Sequence, residues 1–306
     1  MARVKAVVDV GTNSVKLCLA EEDAGQGGYK IIEDKSDIAR LGEGLKDTKC
    51  ISPAALERNA QAAAKFVDEA KKWRADEVAV VGTMALREAE NTRDFASRVK
   101  ELCGASLQVL SGEEEARLSY VAVMSGLKGA ESGEFMTMDT GGGSTEFALS
   151  RSGRLIKNFS LNVGSVRLTE EYLAVTPVPA EKLARTRAFI RREFTEGGVR
   201  GPVEKLIGMG GTLTTMAAVK HKMAKYDRAA VHGATLTIDD VRSQIADYAS
   251  KTLEQRRTIA GLNPKRADVI LAGACIVEAV LELTGCSSLT VSDRGLRHGL
   301  LYEMFK

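Results

Sequence analysis

The sequence predicts an α/β fold of two domains, each with a mixed β-sheet at its centre. Its 306 residues are comfortable for two cores of ordinary domain size. Strand and helix patterns alternate through the first half of the chain and begin again in the second half. An aspartate followed by a glycine-rich turn occurs once in each half, at equivalent places. This duplication indicates two related domains.

The first half shows three strand patterns followed by helix, strand, helix, strand and helix. Its strands are predicted at 3–10, 15–21, 29–41, 77–82 and 107–110, and its helices at 53–73, 91–103 and 113–126. Ser52 and Pro53 start the first helix, because serine caps a helix N-terminus and proline suits the first helical position. This order of elements is that of a ribonuclease-H-like unit.

The second half repeats the three-strand opening and then places helices around further strands. Strands are predicted at 134–139, 145–150, 155–161, just before Gly208 and at 289–292, and helices at 213–225, from Asn263 to Thr284 and from Arg294 onward. The segment Gly126–Gly133 is rich in glycine and polar residues and is predicted to be the hinge. The predicted domains are therefore 1–126 and 127–295.

The composition excludes several classes of protein. A hydrophobic content of 44% and a charged content of 27% are ordinary for a soluble globular protein, and a net charge of +2 indicates no nucleic-acid or membrane partner. The first residues lead into a strand rather than a signal peptide, so a cytoplasmic location is expected. The 5 cysteines and 3 histidines show no spacing typical of metal ligands or of a disulfide framework.

Two segments carry nearly the same motif directly after a short apolar strand. Asp9–Ser14 reads DVGTNS, and Asp139–Glu146 reads DTGGGSTE. Glycines let backbone N–H groups approach a ligand closely, and oriented N–H groups bind anions. An aspartate beside them suits a hard cation such as Mg²⁺. The two motifs therefore predict a phosphate-and-metal cleft between the two domains.

A third glycine loop, Leu206–Thr215, reads LIGMGGTLTT and leads into a predicted helix. A helix N-terminus attracts anions through its dipole and its unpaired N–H groups. None of the three loops matches a Walker loop or the dinucleotide G-x-G-x-x-G pattern. One such loop alone is equally well a tight turn that needs positive φ. Three together favour phosphate binding.

With these loops, the chain resembles the exopolyphosphatase/guanosine pentaphosphate phosphohydrolase family of the actin, sugar-kinase and acetate-kinase superfamily. The loops are similar to the phosphate-1, phosphate-2 and third glycine motifs of that family. Other stretches similar to the family are Gly82–Arg87, Leu110–Arg117, Asn162–Arg167 and Ser292–Arg297. The resemblance runs from residue 6 to about 299 and is to the short, two-domain members. It implies an actin-like architecture with an interdomain cleft, and a last helix, 296–306, that packs back on the first domain.

The resemblance also implies functions for individual residues. Asp9, Asp139 and Glu146 are expected to hold Mg²⁺, for which Mn²⁺ is a substitute. Two aspartates on opposite walls of one cleft repel each other unless a cation lies beside them, which agrees with this assignment. The expected phosphate ligands are Gly11, Thr12, Asn13, Ser14, Arg87, Gly141, Gly142, Gly143, Ser144, Thr145, Gly210, Gly211 and Thr212.

Three consecutive glutamates, Glu113–Glu115, follow Ser111 and Gly112, and we expect them to have different functions. Ser111 and Glu114 form an S-x-x-E capping box, and Glu113 lies in the first helical turn, where the dipole favours any carboxylate. Glu115 has no such local function. By resemblance, the glutamate that precedes Ala-Arg is the catalytic base, so Glu115 is preferred over Glu114.

Four arginines are candidate ligands or tethers. Arg87 is placed on a loop after a strand, where a guanidinium can bind phosphate oxygens bidentately. Arg167 is a weaker candidate. Arg294 and Arg297 are expected to tether the last helix to the core.

The predicted activity is Mg²⁺-dependent hydrolysis of the terminal phosphoanhydride of inorganic polyphosphate, with guanosine pentaphosphate, a nucleotide of the stringent response, as a second substrate. Two alternatives stay open. One is a phosphotransferase that uses polyphosphate and ADP. The other is a non-catalytic regulator that binds guanosine tetraphosphate or polyphosphate. Family likeness also implies a homodimer.

Overall fold

The computed structural model describes residues 2–23, 28–127 and 132–306, and these form two compact units. Unit 1 comprises the chain up to Ser125 together with Leu296–Lys306, and unit 2 is Gly126–Gly295. Half of the predicted hinge, residues 128–131, lies outside the described residues. The interdomain cleft remains a prediction.

Eleven strands and thirteen α-helices occur in the described residues. The strands are β1 Val4–Val10, β2 Val15–Glu22, β3 Tyr29–Asp37, β4 Glu77–Gly82, β5 Leu107–Val109, β6 Glu134–Thr140, β7 Thr145–Arg151, β8 Arg154–Leu161, β9 Lys205–Met209, β10 Thr235–Thr237 and β11 Ser288–Val291. The helices are α1 Leu45–Thr48, α2 Pro53–Lys72, α3 Met84–Glu88, α4 Thr92–Cys103, α5 Gly112–Gly126, α6 Ser165–Leu168, α7 Ala180–Glu196, α8 Gly211–Lys220, α9 Arg228–Val231, α10 Ile238–Ser250, α11 Leu253–Arg257, α12 Ile270–Thr284 and α13 Leu296–Met304. None of the described helices combines the length and apolar character that a membrane crossing needs.

Unit 1 has a five-stranded mixed sheet in the order β3-β2-β1-β4-β5. The first three strands form antiparallel hairpins, and β1, β4 and β5 run parallel. Strand β1 is buried on both faces: Ala6, Val8 and Val10 pack with α2 and α4, whereas Val7 faces the cluster that contains Leu301 of α13. Helix α2 starts as predicted, with the Ser52 hydroxyl accepting a hydrogen bond from a backbone N–H of the first turn.

Helix α13 packs against the strands of unit 1. Lys5 Nζ on β1 donates a 2.6 Å hydrogen bond to the carbonyl of Met304. The absence of a side chain at Gly299 permits close contact with α5, because a Cβ there would lie 1.9 Å from the Leu118 carbonyl oxygen. The last helix thereby completes the second face of the sheet.

Unit 2 has a six-stranded mixed sheet in the order β10-β11-β9-β6-β7-β8. Strands β6, β7 and β8 form antiparallel hairpins, and β6, β9 and β11 run parallel, which repeats the strand order of unit 1 with one strand added. Helix α12 lies in the centre of its apolar core. The predicted fold class of two related mixed α/β units is confirmed.

Three element boundaries were predicted wrongly, and the helix predicted at 213–225 is α8, which ends at Lys220. Strand β3 ends at Asp37 rather than at residue 41, because the following backbone turns to hydrogen-bond the first glycine turn. The predicted helix from Asn263 to Thr284 is interrupted: Asn263 caps a single 3₁₀ turn at Pro264–Arg266, and α12 begins only at Ile270. Hydrogen bonds of the i to i+3 type link this segment, so the capping signal started a turn and not the long helix.

Candidate active site

The two predicted glycine turns have the same backbone geometry. In unit 1 the N–H of Gly11 donates to the carbonyl of Ser14 at 3.0 Å, where β1 turns into β2. In unit 2 the N–H of Gly141 donates to the carbonyl of Ser144, again at 3.0 Å, where β6 turns into β7. The duplicated motif is thus a duplicated hairpin, in which each turn follows a strand that carries an aspartate.

The unit 1 turn is braced by the segment after β3. The carbonyls of Thr12 and Asn13 accept hydrogen bonds from the backbone N–H groups of Gly42 at 2.9 Å and Arg40 at 3.0 Å. A Cβ at Gly42 would lie 2.3 Å from the Thr12 side chain, so the two segments are in close contact. The side chains of the turn are buried at 4–7% exposure. The turn is therefore a fixed element.

The unit 2 turn is braced by the family-like segment Asn162–Arg167. Its backbone N–H groups at Ser165 and Val166 donate to the carbonyls of Gly141 at 3.1 Å and Gly142 at 2.8 Å. A Cβ at Gly164 would lie within 2.4 Å of the turn's backbone. The segment therefore supports the second turn, a structural function that the sequence did not predict.

Asp9 lies on β1 next to the first turn and is 5% exposed. Its register partner on β2 is Lys16, whose Nζ lies 3.5 Å from Asp9 Oδ2. The other carboxylate oxygen, Oδ1, is buried and has no hydrogen-bond partner among the described residues. Lys16 was missed in the sequence, although its position relative to the motif equals that of Glu146 in the second hairpin.

Asp139 and Glu146 are register partners on β6 and β7 of unit 2. Partners in an antiparallel pair project from the same face of the sheet, and two carboxylates so placed repel unless a cation lies between them. Glu146 is 5% exposed, and its Oε1 accepts a 2.8 Å hydrogen bond from the Ser160 hydroxyl. The two metal ligands predicted in the second motif, Asp139 and Glu146, are thus one cross-strand pair.

The third glycine loop ends at the same edge of the unit 2 sheet. Gly210 has a φ of 96°, and a Cβ at this position would lie 2.9 Å from Asp139 Oδ1. Helix α8 begins at Gly211, and Thr212 in its first turn is 5% exposed. Because β6 and β9 are parallel, their carboxyl ends bring this loop beside the second turn. The predicted ligands Gly210, Gly211 and Thr212 therefore lie near Asp139.

The guanidinium of Arg266 packs on this loop and was not predicted. A Cβ at Gly211 would lie 2.2 Å from its Nη1. Burial lowers the pKa of Arg266 from its ordinary value, but a guanidinium remains charged at neutral pH. A positive side chain thus lies at the N-terminus of α8, where an anion is favoured. No local pattern could have shown this, since Arg266 is distant from the loop in sequence.

Arg87 lies on the short helix α3 and not on a loop as predicted. Thr83 is the N-cap residue of this helix and follows the carboxyl end of β4. The backbone N–H of Thr83 donates a 3.3 Å hydrogen bond to the carbonyl of Val10, next to the first turn. Arg87 Nη1 donates a 2.8 Å hydrogen bond to the carbonyl of Leu110 and forms an ion pair with Glu115. The expected phosphate ligand and the expected base of unit 1 are thus in contact.

The acidic triplet at the start of α5 divides as predicted. The backbone N–H of Ser111 donates to Glu114 Oε2 at 2.8 Å, and the N–H of Glu114 donates to the Ser111 hydroxyl at 3.1 Å, so the capping box is confirmed. Glu113 is exposed, whereas Glu115 is only 6% exposed and contacts Arg87. The capping function of Glu114 leaves Glu115 as the inward carboxylate.

The arginines of the last motif differ in their contacts. Arg297 donates to Asp34 Oδ1 at 2.8 Å and so links α13 to β3, which confirms the predicted tether. Arg294 instead packs against Gly126 within unit 2. Gly295 lies close to the metal candidate, because a Cβ there would be 3.3 Å from Asp139 Oδ2.

The donor set suits a hard divalent cation. Mg²⁺ and Mn²⁺ prefer carboxylate and water oxygens. Unit 2 offers the opposed pair of Asp139 and Glu146, and unit 1 offers the buried, unbonded Oδ1 of Asp9. The residues present therefore fit the expected metal. Within each unit, the glycine turn, the acidic groups and the basic groups lie at the carboxyl ends of the parallel strands. Phosphoryl transfer requires such groups close together.

The chain is similar to known proteins over nearly its whole length. The model of the Ppx/GppA phosphatase family matches residues 18–306. The chain is 31% identical to exopolyphosphatase 2 of Mycobacterium tuberculosis over 98% of both chains. It is similar to the crystal structure of the Aquifex aeolicus Ppx/GppA family member, with 32% identity and a TM-score of 0.84 over 99% of this chain and 98% of that one. An exopolyphosphatase-like protein of solved structure has 28% identity and a TM-score of 0.91 over the same shares.

Proposed function

The chain belongs to the Ppx/GppA phosphatase family, as its motifs predicted, and from this we propose that it hydrolyses the terminal phosphoanhydride of inorganic polyphosphate with a divalent metal, Mg²⁺ first and Mn²⁺ as a substitute. Guanosine pentaphosphate is the proposed second substrate, because it carries the same terminal phosphoanhydride. The preference for polyphosphate is supported by the relatives that are named exopolyphosphatases.

The observation that carries the proposal is the Asp139–Glu146 pair beside the second glycine turn. A turn of glycines and hydroxyls suits phosphate oxygens, and two opposed carboxylates suit the cation that accompanies them. A purely structural hairpin would gain nothing from like charges directly opposite each other. The same position on the first hairpin holds Lys16, so the two hairpins differ in charge at this position.

The proposed mechanism needs a base for water, which Glu115 supplies. Its carboxylate is buried and held by Arg87, so its direction is fixed before substrate binds. We propose that the guanidinium of Arg87 shares its donors between Glu115 and an oxygen of the terminal phosphate. Glu115 then accepts a proton from the water that attacks phosphorus in line with the leaving phosphate.

The remaining groups hold the phosphates. In the proposal, Asp9, Asp139 and Glu146 hold the metal, which would supply charge neutralisation on the phosphate oxygens. The N–H groups of both turns and the N-terminus of α8 bind further oxygens, and Thr12, Ser14, Ser144 and Thr212 add hydroxyl donors. Because these groups bind phosphate oxygens and not a nucleotide base, they suit a polyphosphate chain.

A phosphate-release assay tests the proposal. The full chain is incubated with polyphosphates of several lengths and with guanosine pentaphosphate, with Mg²⁺, Mn²⁺ or a chelator, and with or without ADP. We expect release of inorganic phosphate that needs the metal and does not need ADP, and a rate of release that falls about 10² to 10⁴-fold in Glu115→Gln. Glu114→Gln is the matched control, because it alters the neighbouring carboxylate that only caps the helix.

Two outcomes would contradict the proposal in different ways. Transfer of labelled phosphate to ADP in place of release to water would assign the chain as a phosphotransferase. Tight binding of polyphosphate or guanosine tetraphosphate with no release under any metal would make it a regulator. An equal rate of phosphate release in Glu115→Gln and in the wild type would leave the chain a phosphatase but would refute Glu115 as the base.

A further inference from the structure

Three side chains of unit 1 that take no part in the proposed catalysis converge on the face of the sheet covered by α13. They are Cys18 on β2, Asp34 on β3 and His298 on α13, and one potential ligand atom from each lies within 4.8 Å of the other two. Cys18 and Asp34 are register partners, so their side chains share a face. Cys18 is 0% and His298 1% exposed, and the Asp34 side chain is 8% exposed.

The two oxygens of Asp34 have different neighbours. Oδ1 accepts the 2.8 Å hydrogen bond from Arg297, and Oδ2 lies 3.0 Å from His298 Nε2. A carboxylate whose outer oxygen is held by a hydrogen-bond donor is the usual state of a carboxylate ligand in a metal site. A carboxylate oxygen of Asp34, a ring nitrogen of His298 and the thiol sulfur of Cys18 lie within 4.8 Å of one another.

The three side chains offer three different kinds of ligand atom. Imidazole nitrogen, thiolate sulfur and carboxylate oxygen are the three ligand types that zinc binds. Zinc bonds of about 2.0–2.3 Å put tetrahedral ligand atoms roughly 3.3–3.8 Å apart. The ligand atoms here lie within 4.8 Å of one another, and His298 Nε2 lies 3.0 Å from Asp34 Oδ2, so only small shifts are needed.

We propose that Cys18, Asp34 and His298 form a site for a Zn²⁺-type ion, with water as the fourth ligand, that joins α13 to β2 and β3. Binding deprotonates the Cys18 thiol, and its proton passes to solvent. The site is separate from the proposed Mg²⁺ ligands, because a thiolate selects soft transition metals whereas Mg²⁺ takes oxygen. Spacing in the sequence could not reveal it, since Cys18 and His298 lie at opposite ends of the chain.

The first test is metal uptake by the full chain. Protein freed of metal by a chelator is dialysed against Zn²⁺ and then against buffer, and the bound metal is measured by mass spectrometry. We expect one Zn²⁺ per chain in the wild type and loss of this zinc in Cys18→Ser. Cys103→Ser is the matched control and should retain the zinc, because Cys103 is also buried in unit 1 but its sulfur donates to the helix carbonyl of Val99 and belongs to no such cluster of ligands among the described residues.

The second test uses Co²⁺ as a spectroscopic substitute. We expect a thiolate-to-cobalt absorption band in the wild type that Cys18→Ser removes and Cys103→Ser keeps. Asp34→Asn, which preserves shape, should weaken zinc uptake and remove the rise in melting temperature that Zn²⁺ causes in the wild type. If Cys18→Ser does not fold, the wild-type band and the Asp34→Asn comparison still decide. Absence of the band in wild type, or zinc uptake unchanged by Asp34→Asn, would overturn the proposal.

Discussion

Arg87 and Glu115 form an ion pair at the carboxyl edge of the unit 1 sheet. Both side chains are largely buried, at 22% and 9% exposure, and Arg87 is anchored in addition by the carbonyl of Leu110. An arginine in this position orients the carboxylate and also presents a cation toward a phosphate. The two functions assigned to these residues therefore depend on each other.

Glu115→Gln keeps the shape of the side chain but removes the proton acceptor. We expect kcat for phosphate release to fall about 10² to 10⁴-fold, with little loss of polyphosphate affinity, because one negative charge near a polyanion is removed. Glu114→Gln should cost roughly 1 kcal/mol of stability or less through the capping box and leave kcat nearly unchanged. Steady-state kinetics with equilibrium binding measure both. Loss of turnover in Glu114→Gln alone would reverse the assignment.

Replacing Arg87 should affect binding and turnover together. Arg87→Lys keeps a charge but loses the two-pronged geometry, so we expect a higher KM and a lower kcat. In combination with Glu115→Gln, the losses should be smaller than the sum of the two single free-energy losses, since the residues share a contact. A double-mutant cycle on kcat/KM gives this coupling. Strict additivity would mean that the ion pair has no catalytic function.

Asp139→Asn should shift the dependence on metal. With one of the opposed carboxylates neutral, we expect a higher Mg²⁺ concentration for half-maximal activity and weaker substrate binding. The control is Glu134→Gln, at the other end of the same strand, where the carboxylate pairs with Arg151. Titration of activity with Mg²⁺ at fixed polyphosphate distinguishes the variants. An unchanged titration for Asp139→Asn would exclude this residue as a ligand.

The contact of α13 with α5 predicts a pH effect on stability. Hydrogen bonding to Arg117 lowers the pKa of Glu303 below its ordinary value of 4.5. The carboxylate is therefore stabilising above the unfolded pKa, and this contribution is lost as the pH falls through the lower folded pKa. Both side chains are partly exposed, so the contribution is about 0.2–1 kcal/mol.

Glu303→Gln tests that contact. The variant should be less stable than the wild type at neutral pH, and the difference should disappear in acid, once Glu303 of the wild type is protonated. Urea unfolding at several pH values measures it. A difference that is constant with pH would assign the loss to packing.

Gly164→Ala tests the brace behind the second turn. A methyl group there would meet the backbone of Gly142 and Gly143, which cannot move as a side chain can. We expect about 1–3 kcal/mol of destabilisation and loss of phosphate-release activity. Gly42→Ala is the comparison in unit 1, where the methyl group would meet the Thr12 side chain and should cost less. Equal losses for the two would argue against a rigid second turn.

The features predicted correctly from sequence are those set by neighbouring residues. The two hairpin turns follow from apolar strands joined by glycines, and the capping box follows from Ser111 and Glu114, three residues apart. Of the features missed, Lys16 lies in the same hairpin as Asp9, and the equivalent position of Glu146 in the second motif was a signal that could have found it. Arg266 instead contacts Gly211 from a segment far along the chain, before α12. Spacing along a sequence carries no record of that second contact.

The chain leaves unit 1 after Ser125 and returns to it at Leu296. During synthesis, unit 2 is therefore complete before unit 1 is, because the ribosome makes Gly126–Gly295 ahead of α13. Until then, the face of the first sheet around Val7 and Cys18 lacks Leu301 and Phe305 and is open to solvent. A chain that lacks α13 would therefore expose this apolar surface, and exposed apolar surface makes partly folded chains prone to aggregation.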